Sequence, residues 1–495
     1  MILNFRWTLI CCLIAAAGCR NSHPLPAGDP GNGGLLLPEG FEAVVVADSI
    51  GPARHIAINT NGDLYVKLRV TTGDKGNVAL RDVDGDGKAD SIVRFGDYPN
   101  DGSLATEMKI HEGYLYFSSE KVLYRQQLIP GQLIPESKPE VILTDDHPHG
   151  SHWHITKPVA FDDKGHFYVP FGAPSNACQD LVHTPGGNPG IQGLYPCPEL
   201  EQHGGIWQFE SGKLGQTQKD GKRIATGLRS IVGLNWSDRD RHLFAVVHGR
   251  DDLHLLWPEK FSAWQSALLP AEVLVRVDSG DDYGWPYAYF DPLQQRYVQA
   301  PEYGGDGKMP PRVSGLKDPA QAFPGHWAPN DLLFYSGDQF PERYKEGVFI
   351  AFHGSTNRAP YPQSGYFVCF VPFRGGKPYG DWEVFANGFA GVDPIVNVSD
   401  ARYRPMGLAM GPDGSMYVVD SRKGKIWRIL YKGNKKNFSS DALMAMEKEK
   451  LRSNIRTPDS IADNLYKDTK EPGALTYITY CRACHQLDGR GDGSR

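Results

Sequence analysis

The sequence predicts an all-β chain, a six-bladed β-propeller, and three observations carry that reading. The 56 glycines, 37 prolines and aromatic share of 11% in 495 residues point to many short strands joined by tight turns. A polar turn holding Gly or Asp, followed by a short apolar or aromatic strand core, recurs six times. No long amphipathic helix interrupts the copies. Radial repetition of small antiparallel sheets produces such a pattern. A jelly roll or paired sandwiches are the alternatives, and neither requires six equivalent strands.

The copies are Asn61–Val66, Glu112–Phe117, Lys164–Val169, a looser Asp240–Ala245, Glu346–Ala351 and Asp413–Val418, inside a propeller predicted for residues 37–433. Three excursions, 173–204, 249–290 and 291–330, break their spacing. Long connections on a rigid β scaffold gather at the functional rim.

The chain opens with Arg6, an apolar run Trp7–Ala17 and then Gly18-Cys19. That run is too short to span a bilayer and reads as an export signal. Cysteine after Ala-Gly resembles a lipobox, so residues 1–19 are read as a lipoprotein signal peptide, with a lipid anchor at Cys19 in the periplasm or cell envelope. Residues 20–36, rich in Pro, Gly and Asn, are expected to be a flexible tether. In an oxidising compartment Cys178 and Cys197 form a disulfide, or remain two free thiols. A net charge of −6 and a pI near 6.2 give no reason to expect nucleic acid as a partner.

Two stretches carry candidate chemistry within the propeller. His154 stands just before an alternating strand whose far end turns at Asp162-Asp163-Lys164-Gly165, and an imidazole at a loop–strand junction is poised to take a proton near neutral pH. The alternative is a structural or surface histidine. Asp82, Asp84 and Asp86 alternate around a glycine turn, with Asp90 at the ninth place, a spacing that suits Ca²⁺. The glutamate of a full EF-hand is missing, and a polar hairpin turn is the alternative.

Beyond the propeller, residues 434–470 read as a linker with a short helix around Ala442 to Ser453. Residues 471–495 read as the opening fragment of an α-helical cytochrome c domain. In Cys481-Arg482-Ala483-Cys484-His485, two thiols can bond the haem vinyl groups while His485 ligates the iron. Only ten residues follow His485, and none is a methionine, so the domain reads as cut short and not competent to hold haem c.

With these pieces in place, the propeller resembles the PQQ-dependent glucose/sorbosone dehydrogenase family, most closely its L-sorbosone dehydrogenase-like branch. The resemblance rests on Leu37-Pro38-Glu39-Gly40-Phe41, Pro52-Ala53-Arg54-His55, His154-Ile155-Thr156-Lys157 and Asn176-Ala177-Cys178-Gln179. It continues through Ala225-Thr226-Gly227-Leu228-Arg229, Asp282-Tyr283-Gly284-Trp285-Pro286-Tyr287, His353-Gly354-Ser355 and Arg404-Pro405-Met406-Gly407. It implies oxidation of an aldose or aldehyde by pyrroloquinoline quinone (PQQ) held with Ca²⁺, electrons passing to haem c and on to a cytochrome or the respiratory chain. Under it His154 is the general base and Arg229 the cation beside the reacting carbonyl. Ser230 replaces a commoner asparagine at a cofactor contact. Arg402 and Arg404 grip the cofactor carboxylates, and His353 faces the cofactor. The functional calcium ligands stay unassigned, with Asp251, Asp252 and Glu272 as candidates. A calcium-dependent propeller lactonase and a non-catalytic binding propeller are the rival readings.

Overall fold

The computed structural model describes residues 25–452, apart from residue 74, residues 148–153 and residues 181–185. The leader, Cys19, Cys481, Cys484 and His485 therefore lie outside the described residues. Six sheets are arranged as blades. Blade I is Ala53–Ile58, Leu64–Thr72, Lys75–Arg81 and Ser91–Phe95. Blade II is Met108–His111, Tyr114–Ser118, Val122–Gln127 and Glu140–Thr144. Blade III is Ala160–Phe161, His166–Phe171, Gly205–Glu210 and Lys222–Thr226. Blade IV is Ser230–Ser237, His242–His248, Glu272–Val277 and Gln321–Phe323. Blade V is Pro329–Phe334, Gly347–Phe352, Phe367–Arg374 and Glu383–Ala386. Blade VI is Pro405–Met410, Met416–Asp420, Ile426–Tyr431 and, as its outer strand, Phe41–Ala47 from the start of the domain. That N-terminal strand pairs antiparallel with Ile426–Tyr431, Phe41 opposite Tyr431, and closes the ring.

Each of the six sequence copies is the turn into a blade and its second strand. These strands lie between neighbouring blades, so both faces are covered. Gly347–Phe352 is buried at every position, and such strands read as apolar runs instead of an alternation. The core is six clusters, one at each blade interface, such as Phe349, Phe370, Trp427 and Phe41 between blades V and VI. Near the axis, polar groups tie inner strands together. The Glu107 carboxylate accepts the Val159 N–H, that of Asp331 accepts the Leu408 N–H, and His55 Nε2 meets the Asn330 carbonyl at 2.9 Å.

Three expectations are corrected here. Residues 25–36 are packed, not a free tether: the Gly33 carbonyl accepts from Trp427 Nε1 and Lys425 Nζ, and Leu35 is buried. The start of the linker is docked as well. Helix Met444–Arg452, close to the expected bounds, buries Met446 between blades IV and V and places Lys450 over the Trp382 ring at 4.9 Å. The second and third excursions are divided differently, because Glu272–Val277 and Gln321–Phe323 within them are strands of blade IV. The insertions are 249–271, with two short helices, and 278–320, with the hairpin Ala288–Asp291 and Arg296–Gln299. Among the described residues, no helix is long and apolar enough to cross a membrane.

Candidate active site

In every blade the first strand starts, and the second strand ends, on the same face of the ring. His154 and Arg229 precede first strands in blades III and IV, Arg404 does so in blade VI, and His353 follows the second strand of blade V. Connectivity alone therefore gathers these four on one face, although 250 residues separate His154 from Arg404 in the chain.

His154 and Arg229 are tied through one residue. His154 Nδ1 lies 2.6 Å from the Ala173 carbonyl, and the Ala173 N–H donates to the Arg229 carbonyl at 2.8 Å. A carbonyl only accepts, so Nδ1 carries the ring proton and Nε2 holds the lone pair. Nε2 makes no hydrogen bond among the described residues. Gly172 permits the approach, since a Cβ there would stand 2.1 Å from the His154 carbonyl oxygen. Below the histidine, Thr156 Oγ1 donates to the Ile231 carbonyl, and the buried Lys157 pairs with Asp145 at 2.8 Å. Burial, and then the Arg229 charge, push the His154 pKa down to about 3, so the imidazole is neutral at any ordinary pH.

The Arg229 guanidinium is held from two sides. It donates to the Gly249 carbonyl at 2.6 Å and to Asp251 Oδ2 at 2.8 Å, while its buried Nε–H has no partner. Asp251 is itself placed by two loops: Asn357 donates to its Oδ1 at 2.6 Å, and Asn176 bonds both its N–H and its carbonyl. The first excursion thus supports the site through Asn176. Its loop is closed by the expected Cys178–Cys197 disulfide, and the Asn176 carbonyl accepts from Trp285 Nε1. Arg229 and His326 hold the Asp251 carboxyl far below its usual range against the opposing effect of burial. Ser230 is buried opposite His248 in the strand register.

A second group is cationic without acidic compensation. Arg404 donates to the His353 and Gly354 carbonyls, and its guanidinium lies 5.7 Å from the Tyr366 ring centroid. The nearby Asp420 carboxylate is spent on the backbone N–H groups of Arg404, Arg422, Lys423 and Gly424. Burial, followed by the Arg69 and Arg404 charges, brings Arg54 down to about 9, and its Nε–H is buried and unpartnered. His353 Nε2 meets Ser421 Oγ at 2.6 Å, and burial next to Arg404 holds its pKa well below 6.5. Arg402 does not join this group. It is exposed alongside Gly391, and Arg54 takes the place expected of it. Arg54 stands in a quoted motif, but nothing in its spacing brought it to Arg404, which lies across the blade VI–blade I interface. Asn357 was missed similarly, although it follows His353-Gly354-Ser355 by two residues.

The carboxylates resolve into separate roles. Ligand atoms of Asp82, Asp84 and Asp86 come within 4.8 Å of one another. They sit between the third and fourth strands of blade I, on the opposite face, so any cation there is remote from His154. Asp82 already caps Gly85 and Gly87, and Asp90 stands apart from the trio, accepting the Val83 N–H at 2.6 Å. Glu272 accepts from the N–H groups of His326 and Gly249, so that it and Asp251 both anchor loops around the site. Burial, then the Asp251 charge, raise the Asp252 carboxyl to about 6.

The arrangement defines a class: a six-bladed propeller with a neutral imidazole, a clamped guanidinium and an uncompensated cationic bed on one face. Comparisons place it among specific relatives. A family model described as TrAA12-like matches residues 311–432. In structure the chain is similar to a Trichoderma reesei member of carbohydrate-active enzyme family AA12, with TM-score 0.63 and 16% identity over 80% of this chain and 98% of that one. It is also similar to the PQQ domain of Coprinopsis cinerea pyranose dehydrogenase in its holo form, with TM-score 0.59 and 18% identity over 82% and 98%. The apo-form of the soluble aldose sugar dehydrogenase of Escherichia coli matches with TM-score 0.52 and 14% identity over 79% and 99%. These likenesses establish the shared fold. A curated relative, an uncharacterized protein of Borreliella burgdorferi, is 26% identical over 209 residues, and the match spans 48% of its length and 42% of this chain.

Proposed function

We propose that this chain is a PQQ-dependent dehydrogenase that oxidises an aldose or a related aldehyde. The observation that carries the reading is the His154 tautomer: Nδ1–H is committed to the Ala173 carbonyl, leaving a neutral, unbonded Nε2 beside the Arg229 cation. A group so arranged accepts the hydroxyl proton of a bound substrate, while a fixed positive charge lowers the energy of negative charge developing beside it. PQQ is a tricarboxylate, and the uncompensated bed of Arg54 and Arg404, with an unpartnered Nε–H on Arg54, suits an anion of that kind. When bound, the quinone supplies the two-electron, hydride-accepting carbonyl. His353 and Ser421 flank the same bed. The PQQ domain of pyranose dehydrogenase among the structural relatives and the TrAA12-like match support this reading.

Further parts of the proposal rest on sequence. The reading extends to electron transfer from the quinone to a haem c, for which Cys481, Cys484 and His485 supply the attachment motif, and from there to a cytochrome or the respiratory chain. The chain is exported and anchored through Cys19. Calcium accompanies the quinone as a structural cation.

The test is direct. Purified protein is supplied with PQQ and Ca²⁺, and dye reduction is followed with a panel of aldoses. His154→Asn is expected to retain quinone binding, read by fluorescence quenching, and to lose about 10²–10⁴-fold in turnover. Unchanged turnover in that variant rejects the assignment.

A further inference from the structure

A groove of ≈ 310 Å³ lies between helix Met444–Arg452 and the loop that joins blade V to blade VI, on the face that carries Arg404. Leu36, Val392 and Ile395 contribute apolar surface to it, and Asp393 and Glu449 contribute carboxylates. Leu36 is 50% exposed and Val392 46%, so one groove leaves two large apolar side chains uncovered. Apolar surface concentrated in this way marks a contact site. Asp393 is exposed and forms no ion pair among the described residues.

The helix delivers the chain to this groove. Asn387 Nδ2 donates to Glu449 Oε2 at 2.8 Å, which pins the end of the helix to the start of the loop. Arg452 lies only about 4–5 Å farther along the helix axis, at 1.5 Å per residue. The next six residues are Ser453-Asn454-Ile455-Arg456-Thr457-Pro458. Extended, they reach about 20 Å, enough to cross the groove. Among the six, Ile455 is the one large apolar side chain and Arg456 the one charge. That pair complements a groove with an apolar surface and an acidic edge.

We propose that residues 453–458 dock in this groove, with Ile455 against Leu36 and Val392 and Arg456 paired with Asp393. The contact bears on the active centre because the groove adjoins the cationic bed. Tyr366 lines the groove, and the Arg404 guanidinium lies 5.7 Å from its ring centroid. The docked segment therefore runs about one aromatic ring away from Arg404. The tail that carries Cys481, Cys484 and His485 then departs from the face on which His154 and Arg229 stand. Docking stands whether or not the proposed oxidation is correct, because a disulfide reports it without turnover.

The test uses the whole chain, dilute and under mild oxidant, with disulfides mapped by peptide mass spectrometry. Val392→Cys combined with Ile455→Cys is expected to form an intramolecular disulfide. It should form at least about tenfold faster than in Val83→Cys with Ile455→Cys, since Val83 is 70% exposed on the opposite face. Leu36→Cys with Ile455→Cys serves if the Val392 variant does not fold. Added to the first pair, Arg456→Glu and Asp393→Lys should each slow the bond about two- to fivefold, and the two together should restore the rate. Equal rates on the two faces, or a bond that joins two molecules, would give the groove to another occupant and overturn the proposal. Charge reversals that leave the rate unchanged overturn it as well.

Discussion

Gly172→Ala offers the sharpest test of how His154 is positioned. Gly172 needs no special backbone angle, so the cost of a methyl group is purely one of space. The new Cβ would lie 2.1 Å from the His154 carbonyl oxygen and 2.8 Å from its Cβ, whereas real Cβ contacts are essentially never under 3.0 Å. One segment must retreat by at least about 0.9 Å, and the nearest obstacle is backbone, which cannot swing aside as a side chain does. Overpacking of this kind costs about 1–3 kcal/mol. The functional loss should be the larger effect. Ala173, whose carbonyl orients the imidazole and whose N–H holds the Arg229 carbonyl, is the next residue, so base and cation lose their mutual placement together. A displacement near 1 Å in such a constellation lowers the rate by about 10²-fold. The assay is kcat/KM for aldose-dependent dye reduction by protein reconstituted with PQQ, with thermal unfolding measured in parallel. Gly212→Ala is the control, since nothing lies within 4 Å of a Cβ there, and it should leave both quantities unchanged. If Gly172→Ala is destabilised while kcat/KM stays within about threefold of wild type, the imidazole placement is irrelevant to the chemistry and the general-base assignment fails.

Other perturbations address separate links. His154 is lowered in the folded state, from 6.5 to about 3, so the unfolded chain binds the extra proton. Its contribution to stability is complete above pH 6.5 and is lost as pH falls toward 3, on the order of 3 kcal/mol by pH 4.5. Urea unfolding of His154→Asn at pH 7.5 and 4.5 should show an acid loss smaller by that amount, and an identical loss in both proteins contradicts the buried, neutral imidazole. Arg54→Met and Arg404→Met should each weaken PQQ binding by about 10–100-fold in a quenching titration, whereas Arg402→Met should change it by less than about threefold; equal effects at all three would return Arg402 to the cofactor bed. Replacing Cys178 and Cys197 together by serine frees a loop with a sequence separation of 19. Stability should fall by about 3 kcal/mol, and kcat/KM should fall as well because Asn176 then holds Asp251 less firmly. A stability loss with full activity would detach the first excursion from the active site.

How far the architecture was legible follows from which interactions are local. The six copies were readable because each pairs a tight turn with a strand covered on both faces, and both demands fall on consecutive residues. His154 was readable as a position just before a strand, Arg229 only through the family resemblance carried by Ala225–Arg229, and the Cys178–Cys197 pairing as two cysteines in one loop of an exported chain. The Asp82–Asp90 stretch was legible as an acidic turn, but spacing cannot report which face of a blade a turn occupies. Residues 25–36 were read as a free tether, and the docking of the expected helix Met444–Arg452 went unread, for a related reason. Their composition is loop-like, and their order comes from partners distant in the chain, Trp427 for Gly33 and Trp382 for Lys450.

Short-range chemistry along the chain specified turn, strand and repeat number, and with them a closed ring whose inner strands all start on one face. Which side chains meet on that face was decided only when the ring closed. Arg54 and Arg404 belong to blades adjacent in space yet far apart in sequence, and Asp251 is fixed by Asn176 from one loop and Asn357 from another. The state of Arg358, fully buried with no hydrogen-bond partner for its guanidinium among the described residues, is likewise invisible in sequence, because it depends on what folding leaves around the side chain. Burial acts on the assembled surroundings of a group, and no residue carries that information alone.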